Sequence, residues 1–542
     1  MRIERIRLDS SGELSDEYLF SFSKVQHLYG LDPGKGESFR KRYDELSRRE
    51  TSFSRSRLVE VLRQFHSGEL HHPAVEQNIR RLEKPGSVVV IGGQQAGLLA
   101  GPLYTLYKAI SVIQLARREE ERLGVPVIPV FWIAGEDHDL DEVNHIYVPG
   151  PDGRLIKHRL PLSEGGKRIS AGHVLLDPQS LGEWLRELGR MLPDTEFKEG
   201  MLKELAQWAE EPVSLTRYFA RLLHRLFGRF GLVQIDSSFP PLRRIEGAFF
   251  ERLIADNAAL DEAVGDQIKQ VEKMGYSSPL VLHPDCAHLF IYVDGERQLL
   301  LRDGDGFITR DGRRRWSGRE LLRVAREEPE RFSNNVVTRP LMQEFLFPTL
   351  SAVVGPGEIA YWGCLRKAFS EMGMTMPVLM PRIGVTLIDR ATERYMGLLD
   401  LSVEEIFSGL DRRKRQWLKE HAPLDVQELF ADAAKQVEGL YDTLVQQLSP
   451  LGPEMRRIGE KNRLRVMEQL DYLKNQAERM IRLRHETALR RFDHISLRCR
   501  PGGKLQERVH NITPYWNEYG TEWIERLAEA PLTFFEHQVV FL

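Results

Sequence analysis

The stretch SVVVIGGQQAGLLAGP, residues 87–102, constrains the fold of this chain more than any other. A β-branched run, Val88 to Ile91, breaks into a glycine-rich loop, and that loop opens the helix-like TLYKAISVIQLARREEERLG. A second apolar run, VPVIPVFWIAG from Val125, follows the helix directly. Strand, loop, helix and strand at this spacing predict two parallel neighbours joined by a right-handed crossover, and so an α/β architecture.

The rest of the first two thirds extends that unit with interruptions. HIYVPGPDGRLIKHRLPL alternates around a turn at Asp152-Gly153, and helical patterns fill about 180 to 229, so a first insert is expected over about 146–230. GLVQIDSS, from Gly231, supplies another core strand. LFIYVDGERQLLLRDGDGFI carries the hairpin signal Asp294-Gly295, which places a small antiparallel sheet in a second insert over about 275–330. LSAVVGPGEIAYWGCLRKAFSEMG repeats the strand, glycine loop and helix, and MPVLMPR gives a last short strand. Residues before about 85 are charged and helical in pattern, with Leu58, Val61, Leu62 and Phe65 at helical spacing. The prediction is a doubly wound parallel core, interrupted by two inserts and preceded by an N-terminal helical layer, over 1–385.

From about Thr386 the sequence turns helix-forming and charged, without strand signals until the chain nears its end. Phe430, Ala433, Val437, Leu440 and Leu444 step by threes and fours, as do Val466, Leu470, Leu473, Ala477 and Met480 beyond SPLGP. This predicts an antiparallel helical hairpin in an α-helical coiled-coil domain, 386–507. Flanking Phe430, Tyr441, Met455, Ile481 and Leu483 are the residues expected to meet a second copy. The aromatic tail, 508–542, is expected to return to the core or to the hairpin base, and its Tyr515 to Trp523 stretch competes for the same apolar surface.

With 542 residues, 42% of them hydrophobic, two or three domains are expected. Lys+Arg 76 against Asp+Glu 79 leaves no positive field for a nucleic acid or an acidic membrane. MRIERIRLDSSGELSDEY has no apolar leader, and no apolar run approaches the roughly 20 residues that cross a bilayer, so a cytoplasmic protein is expected. Cys286, Cys364 and Cys499 lie too far apart for a thiolate zinc site and are expected to be buried hydrophobes.

Chemistry concentrates in three segments. In GGQQAGLLAGPLYTLYK, a strand meets a helix N-terminus, where free N–H groups favour phosphate or carboxylate. Gln94, Gln95, Gly97, Gly101, Tyr104, Thr105 and Lys108 are its binding residues, although neither the Walker loop nor the dinucleotide spacing is present. A tight turn with a glycine-packed helix explains the same glycines. WIAGEDHDLDEVNH ends an apolar strand in Glu136, Asp137, His138, Asp139, Asp141 and Glu142, then Asn144 and His145, a density of charge that is costly unless solvated or used. Asp141 and His145 share a face if this loop is helical, which keeps a metal site open, although no closed ligand set supports one. In NNVVTRPLMQEFLFPTLSAVVGPGEIAYWG, Asn335, Arg339 and Gln343 precede the loop holding Gly357 and Glu358, and Arg339 can fork a carboxylate or phosphate. A surface ion pair explains that arginine equally.

Together the three segments resemble the bacillithiol biosynthesis cysteine-adding enzyme family, over essentially the whole chain. The resemblance implies ligation of L-cysteine to glucosaminyl-malate as the last step of bacillithiol assembly, a Rossmann-type core with two inserts, and a homodimer through the coiled coil. The arrangement is also similar to class I aminoacyl-tRNA synthetases, with GPLYTLYK in the place of their first signature. It departs from them in lacking a His between Gly101 and Thr105 and a lysine-rich loop after the last core strand.

A carboxylate is a poor electrophile, so this ligation calls for ATP as co-substrate. No metal site is evident in the chain, and Mg²⁺ is admissible with the nucleotide. Lys108, Arg339 and the Gly92–Gly101 loop are expected to stabilise phosphate charge. Asp137, His138 or Asp139 is expected to take the amine's proton, with Glu358 as second choice. The rivals are a metal-dependent hydrolase of an amide or sugar derivative, with the His and Asp cluster as ligands, and a non-catalytic coiled-coil scaffold. The pocket is expected between the Gln94–Lys108 segment and the Glu136–His145 loop.

Overall fold

A computed structural model describes residues 1–8, 12–49, 54–150, 154–162, 169–281 and 283–542. The turn expected at Asp152-Gly153 lies outside them. The chain forms two compact units, one of residues 1–387 with 505–540 and 542, the other of 388–504 with 541. Among the described residues no helix is long and apolar enough to cross a membrane.

The first unit is built on a parallel sheet. Strand β1 (Val88–Gln94) leads through the glycine loop into helix α1 (Tyr104–Leu123) and then β2 (Val127–Ile133). These strands pair in register from Val88 with Val127 to Gln94 with Ile133, as the sequence predicts. The first insert intervenes before β3 (Val233–Asp236) and helix α2 (Pro240–Ala255). A second insert holds β4 (Cys286–Val293) and β5 (Glu296–Asp303), paired antiparallel across the Asp294-Gly295 turn within a five-stranded sheet. Helix α3 (Thr338–Leu346), strand β6 (Thr349–Val354), helix α4 (Pro356–Trp362) and strand β7 (Val378–Pro381) complete the core.

Its strand order is β7-β6-β1-β2-β3. All of β2, β3, β6 and β7 is buried, as parallel strands covered on both faces must be. From β1 the chain winds to one side through β2 and β3, then returns to lay β6 against the other side of β1. This reversal opens a crevice at the carboxyl ends of β1 and β6.

A second, three-stranded sheet was not legible in the sequence. It places His537–Phe541 between Arg2–Ile6 and Gly384–Ile388. Ile3 and Ile6 sit at helical spacing, so the first strand reads as part of the helical layer. GVTLI directly follows MPVLMPR and reads as its continuation. The expectation of an all-helical start is corrected accordingly, whereas the sequence from Arg390 to Glu529 is helical as expected and strand returns only at the end of the chain.

In the second unit α5 (Val426–Leu448) and α6 (Pro453–Arg484) form the expected antiparallel hairpin around Ser449–Leu451. Its seam differs from the one expected. Val426 and Val445 are buried and Phe430, Val437 and Tyr441 half-buried, whereas Leu440 and Leu444 are 57% and 40% exposed. On α6, Met455 and Ile481 turn inward, while Leu473 and Met480 are 56% and 65% exposed. The seam repeats at about 3.7 residues per turn rather than 3.5, so a strict three-four count rotates off the contact face within a few turns. A Cβ on Gly459 would lie 2.8 Å from Val445, and this glycine permits the close approach.

Candidate active site

A cleft of about 340 Å³ opens at the carboxyl ends of β1 and β6. Its floor is Ile91, Gly92, Ala352 and Val353, and its lining holds four cations, Lys108, Arg339, Arg382 and Arg508, against the carboxylates of Asp137 and Glu358.

Lys108 comes from α1, whose other neighbouring side chains are buried hydrophobes, and is itself 1% exposed. Its ammonium donates to Gly93 O at 2.8 Å and Gln94 Oε1 at 3.2 Å, and ion-pairs with Glu358. Glu358 Oε2 also accepts from the Gly355 N–H at 2.6 Å. Burial pulls the lysine below its ordinary range, and the charge of Glu358 opposes that pull. Gly92 permits the reach, because a Cβ there would sit 2.7 Å from Val112 of α1. One buried cation thus joins the loops after β1 and β6.

Arg339 and Gln343 project from α3, with Arg339 against the Tyr361 phenol, which burial pushes up to about 12. Arg382, just after β7, is held in a fork by Glu507 at 2.9 and 2.5 Å and lies over the Tyr104 ring. Neither Arg339 nor Arg508 is in an ion pair among the described residues; burial works against the charge of Arg339, and Tyr361, Glu136, Glu358 and Asp137 outweigh it and raise the guanidinium above its ordinary value.

The C-terminal segment that carries Glu507 and Arg508 also pins the glycine loop. Leu99 and Ala100 adopt left-handed φ of 49° and 67°, a conformation costing about 1–2 kcal/mol for a residue with a Cβ. Asn511 Nδ2 donates to Leu99 O at 2.9 Å and to Gly101 O at 2.6 Å, and the Leu103 N–H donates to His510 O at 2.9 Å. At the N-terminus of α1 the tail thus takes up the Leu103 N–H, one of the groups expected to face an anion. Gly97 and Gly101 pack on each other, where a Cβ on Gly97 would lie 2.8 Å from the Gly101 Cα. They and the buried Thr105 shape the loop without lining the cleft.

The acidic segment after β2 divides in three directions. Glu136 points into the core, where Oε2 accepts from Arg243 at 2.6 Å and from the Asn334 N–H at 3.0 Å. Arg243 also donates to Glu246 at 2.7 Å, and burial raises Glu246 to about 7. Asp137 alone reaches the cleft. It accepts from Gln95 Nε2 at 2.7 Å and from the His138 N–H at 2.8 Å. Burial pushes its carboxyl up, but the Gln95 hydrogen bond and the charge of Arg297 outweigh that and hold it below its ordinary value. Outward, Asp141 pairs with Arg159, Asn144 donates to Asp141 at 3.3 Å, and the His145 ring rests on Tyr147. Asp139 is exposed, and His138 lies beside the cleft rather than in its lining.

The pocket therefore takes in Gln94, Gln95, Tyr104 and Lys108 of the one expected segment and Asp137 of the other, and extends past them to the end of β6, at the topological reversal. Asn335 is occupied elsewhere, since its Oδ1 accepts from the Val337 and Thr338 N–H groups at the start of α3. Gly357 and Glu358 stand in the lining, as do Gln94, Gln95 and Tyr104. Sequence reasoning missed Arg382, Tyr361 and Arg508. The first two follow core elements and were within reach, but Arg508 lies beyond the whole second unit and carries no local signal. Asp141 and His145 do not converge, and among the described residues no group of three His, Cys, Asp or Glu side chains is placed to hold a metal ion.

Residues 1–383 match the family model described as "Bacillithiol biosynthesis BshC, N-terminal Rossmann-like domain", and residues 385–542 match "Bacillithiol biosynthesis BshC, C-terminal coiled-coil domain". Proteins named "Putative cysteine ligase BshC" are similar over full length. That of Geobacillus sp. (strain WCH70) is 36% identical with 100% of both chains covered. That of Bacillus anthracis is 35% identical with 100% of both covered. That of Bacillus cytotoxicus is 36% identical over 98% of this chain and 97% of its own.

Proposed function

The chain belongs to the bacillithiol biosynthesis BshC family, and from that membership we propose that it is a cysteine ligase, forming the amide bond between L-cysteine and glucosaminyl-malate at the expense of ATP in the last step of bacillithiol assembly. The observation that carries this reading is the cleft itself, with four cations facing the carboxylates of Asp137 and Glu358 at the sheet's reversal point. Cysteine, glucosaminyl-malate and a nucleoside triphosphate all carry anionic oxygens, and the first two carry an aliphatic amine as well.

Arg339, Arg508 and Arg382 hold anionic oxygens of the substrates and offset the charge that grows on phosphate when the cysteine carboxylate attacks phosphorus. Lys108, fixed between Gly93 O and Glu358, presents its charge at the same strand end. The glucosamine nitrogen then attacks the activated acyl carbon, the C–N bond forms as the phosphate-bearing group leaves, and one proton departs from nitrogen. Asp137, accepting hydrogen bonds from Gln95 and from the His138 and Asp139 N–H groups and held below its ordinary value, anchors a substrate ammonium. Purified protein given L-cysteine, glucosaminyl-malate and MgATP should yield the amide product by mass spectrometry, with one nucleotide consumed per amide. Product without nucleotide, or none with it, overturns the reading.

We propose further that two copies associate through the coiled coil. Support comes from the outward Leu440, Leu444, Leu473 and Met480, an apolar set that a hairpin alone leaves in water. Because these residues lie off the internal seam, Leu440→Glu with Leu473→Glu should convert a sedimenting dimer to monomer without lowering helicity. A wild-type monomer at micromolar concentration overturns the proposal.

A further inference from the structure

Arg382 differs from the other cleft arginines in having its charge matched. It follows β7 directly, its side chain is 6% exposed, and it faces Glu507 of the C-terminal segment, which is 3% exposed. Nη1 donates to Glu507 Oε2 at 2.9 Å and to Ile383 O at 3.2 Å, while Nη2 donates to Glu507 Oε1 at 2.5 Å. Glu507 is fixed in turn by the Val385 N–H, which donates to Oε2 at 3.1 Å.

A guanidinium has five N–H groups in one plane. Three are spent on Glu507 and Ile383, which leaves Nε–H and the second hydrogen of Nη2. With the end of the fork held by Glu507, these two point in parallel from one edge, spaced for the two oxygens of a planar anion. Among the described residues no acceptor meets that edge, although Arg382 stands in the cleft's lining. Gly355, also in the lining, leaves it uncovered, since a Cβ there would lie 3.7 Å from Nε. Glu358, the other carboxylate whose charge Arg382 feels, turns Oε2 to Lys108 and to the Gly355 N–H instead. Because Glu507 balances its charge, the open edge offers direction rather than net attraction.

Such an edge suits an anion that has to be oriented and not one whose charge changes. In the proposed ligation the cysteine carboxylate must free an oxygen to attack phosphorus, and the phosphates gain charge as they leave. The malyl carboxylates pass through unaltered. We propose that Arg382 is a specificity-determining residue that grips a malyl carboxylate of glucosaminyl-malate with its Nε–H and Nη2–H edge, and that Glu507 is the positioning residue that turns this edge to the cleft. The choice of the malyl group rests on the ligase reading, whereas the open edge does not.

Calorimetric titration of the full-length protein tests this without catalysis. Wild type should bind glucosaminyl-malate more tightly than methyl glucosaminide, which lacks the malyl group. Arg382→Lys keeps a charge opposite Glu507 but has no parallel pair of N–H groups. It should weaken glucosaminyl-malate about 30-fold and leave ATP and methyl glucosaminide within about threefold. Arg382→Met with Glu507→Met removes both buried charges together, which spares the fold a lone buried ion, and should show the same selective loss. An unchanged Kd for glucosaminyl-malate in both variants, or an equal loss for ATP, overturns the role of Arg382, while amide formation by the wild type keeps the ligase reading standing. Wild type that binds neither glucosaminyl-malate nor ATP overturns both. In the ligation assay Glu507→Gln should raise KM for glucosaminyl-malate about tenfold with kcat within about threefold. A loss confined to unfolding, with KM unmoved, would make Glu507 a staple for the tail and overturn its positioning role.

Discussion

The loop after β2 and the loop after β6 occupy equivalent places at the carboxyl end of one sheet, and they divide the work unequally. The first is crowded with charge, yet it gives the cleft Asp137 and sends Glu136 inward and Asp141 outward. The second, Gly355–Glu358, carries a single charge and stands wholly in the lining. Density of ionisable groups marks where charge has to be neutralised, and the winding of the sheet decides where a ligand sits. β6 lies at the reversal, and the loop after β2 is one strand removed from it.

The widest separation between the loop's inward and cleft-facing acids should come from Arg243→Met. Glu136 and Glu246 would be left buried without their cation, and each already has one oxygen lacking a partner. Breaking a buried pair from one side costs about 3–5 kcal/mol, which denaturant unfolding measures directly. A loss below about 1 kcal/mol would mean that Glu136 is reached by water and that the inward branch is not structural.

Next in size is the contrast within the loop under the ligase reading. Asp137→Asn keeps shape but removes the charge that faces the cleft, and kcat/KM should fall by about 100-fold, or about 2.7 kcal/mol, with unfolding free energy little changed. Asp141→Asn, at an exposed pair with Arg159, should stay within about threefold. Equal losses from both would erase the distinction drawn between the loop's branches. A smaller effect is expected on the opposite wall, where Arg508→Met removes an exposed cation and should raise KM for an anionic substrate by about tenfold. An unchanged KM would remove the C-terminal segment from the binding surface.

Much of the core was legible because its signals are local and redundant. Val88 to Ile91, the glycines after them and the VIPVFWI run each fit one answer, and β1 and β2 pair as their sequences require. The crevice was read in part, since Gln94, Gln95, Tyr104, Lys108, Asp137, Arg339, Gln343, Gly357 and Glu358 line it, whereas the position of β6 beside β1 depends on a chain reversal that no window of sequence contains. Arg508 was invisible for the same reason. In the hairpin, Phe430, Ala433, Val437, Val466, Leu470 and Ala477 keep to the expected seam, while Leu440, Leu444, Leu473 and Met480 fit a repeat of 3.5 and fall off a contact that follows the helix's own period.

The pinning of Leu99 and Gly101 by Asn511 carries a consequence for biosynthesis. A ribosome emits the glycine loop early and Asn511 only after the entire helical hairpin, so a nascent chain holds the left-handed pair at Leu99 and Ala100 without its clamp throughout most of translation. Contacts of such long sequence separation form late in folding. The cleft's last wall is therefore installed post-translationally, and a chain released early by a stop codon in the hairpin would keep most of its parallel sheet while being unable to close a working site.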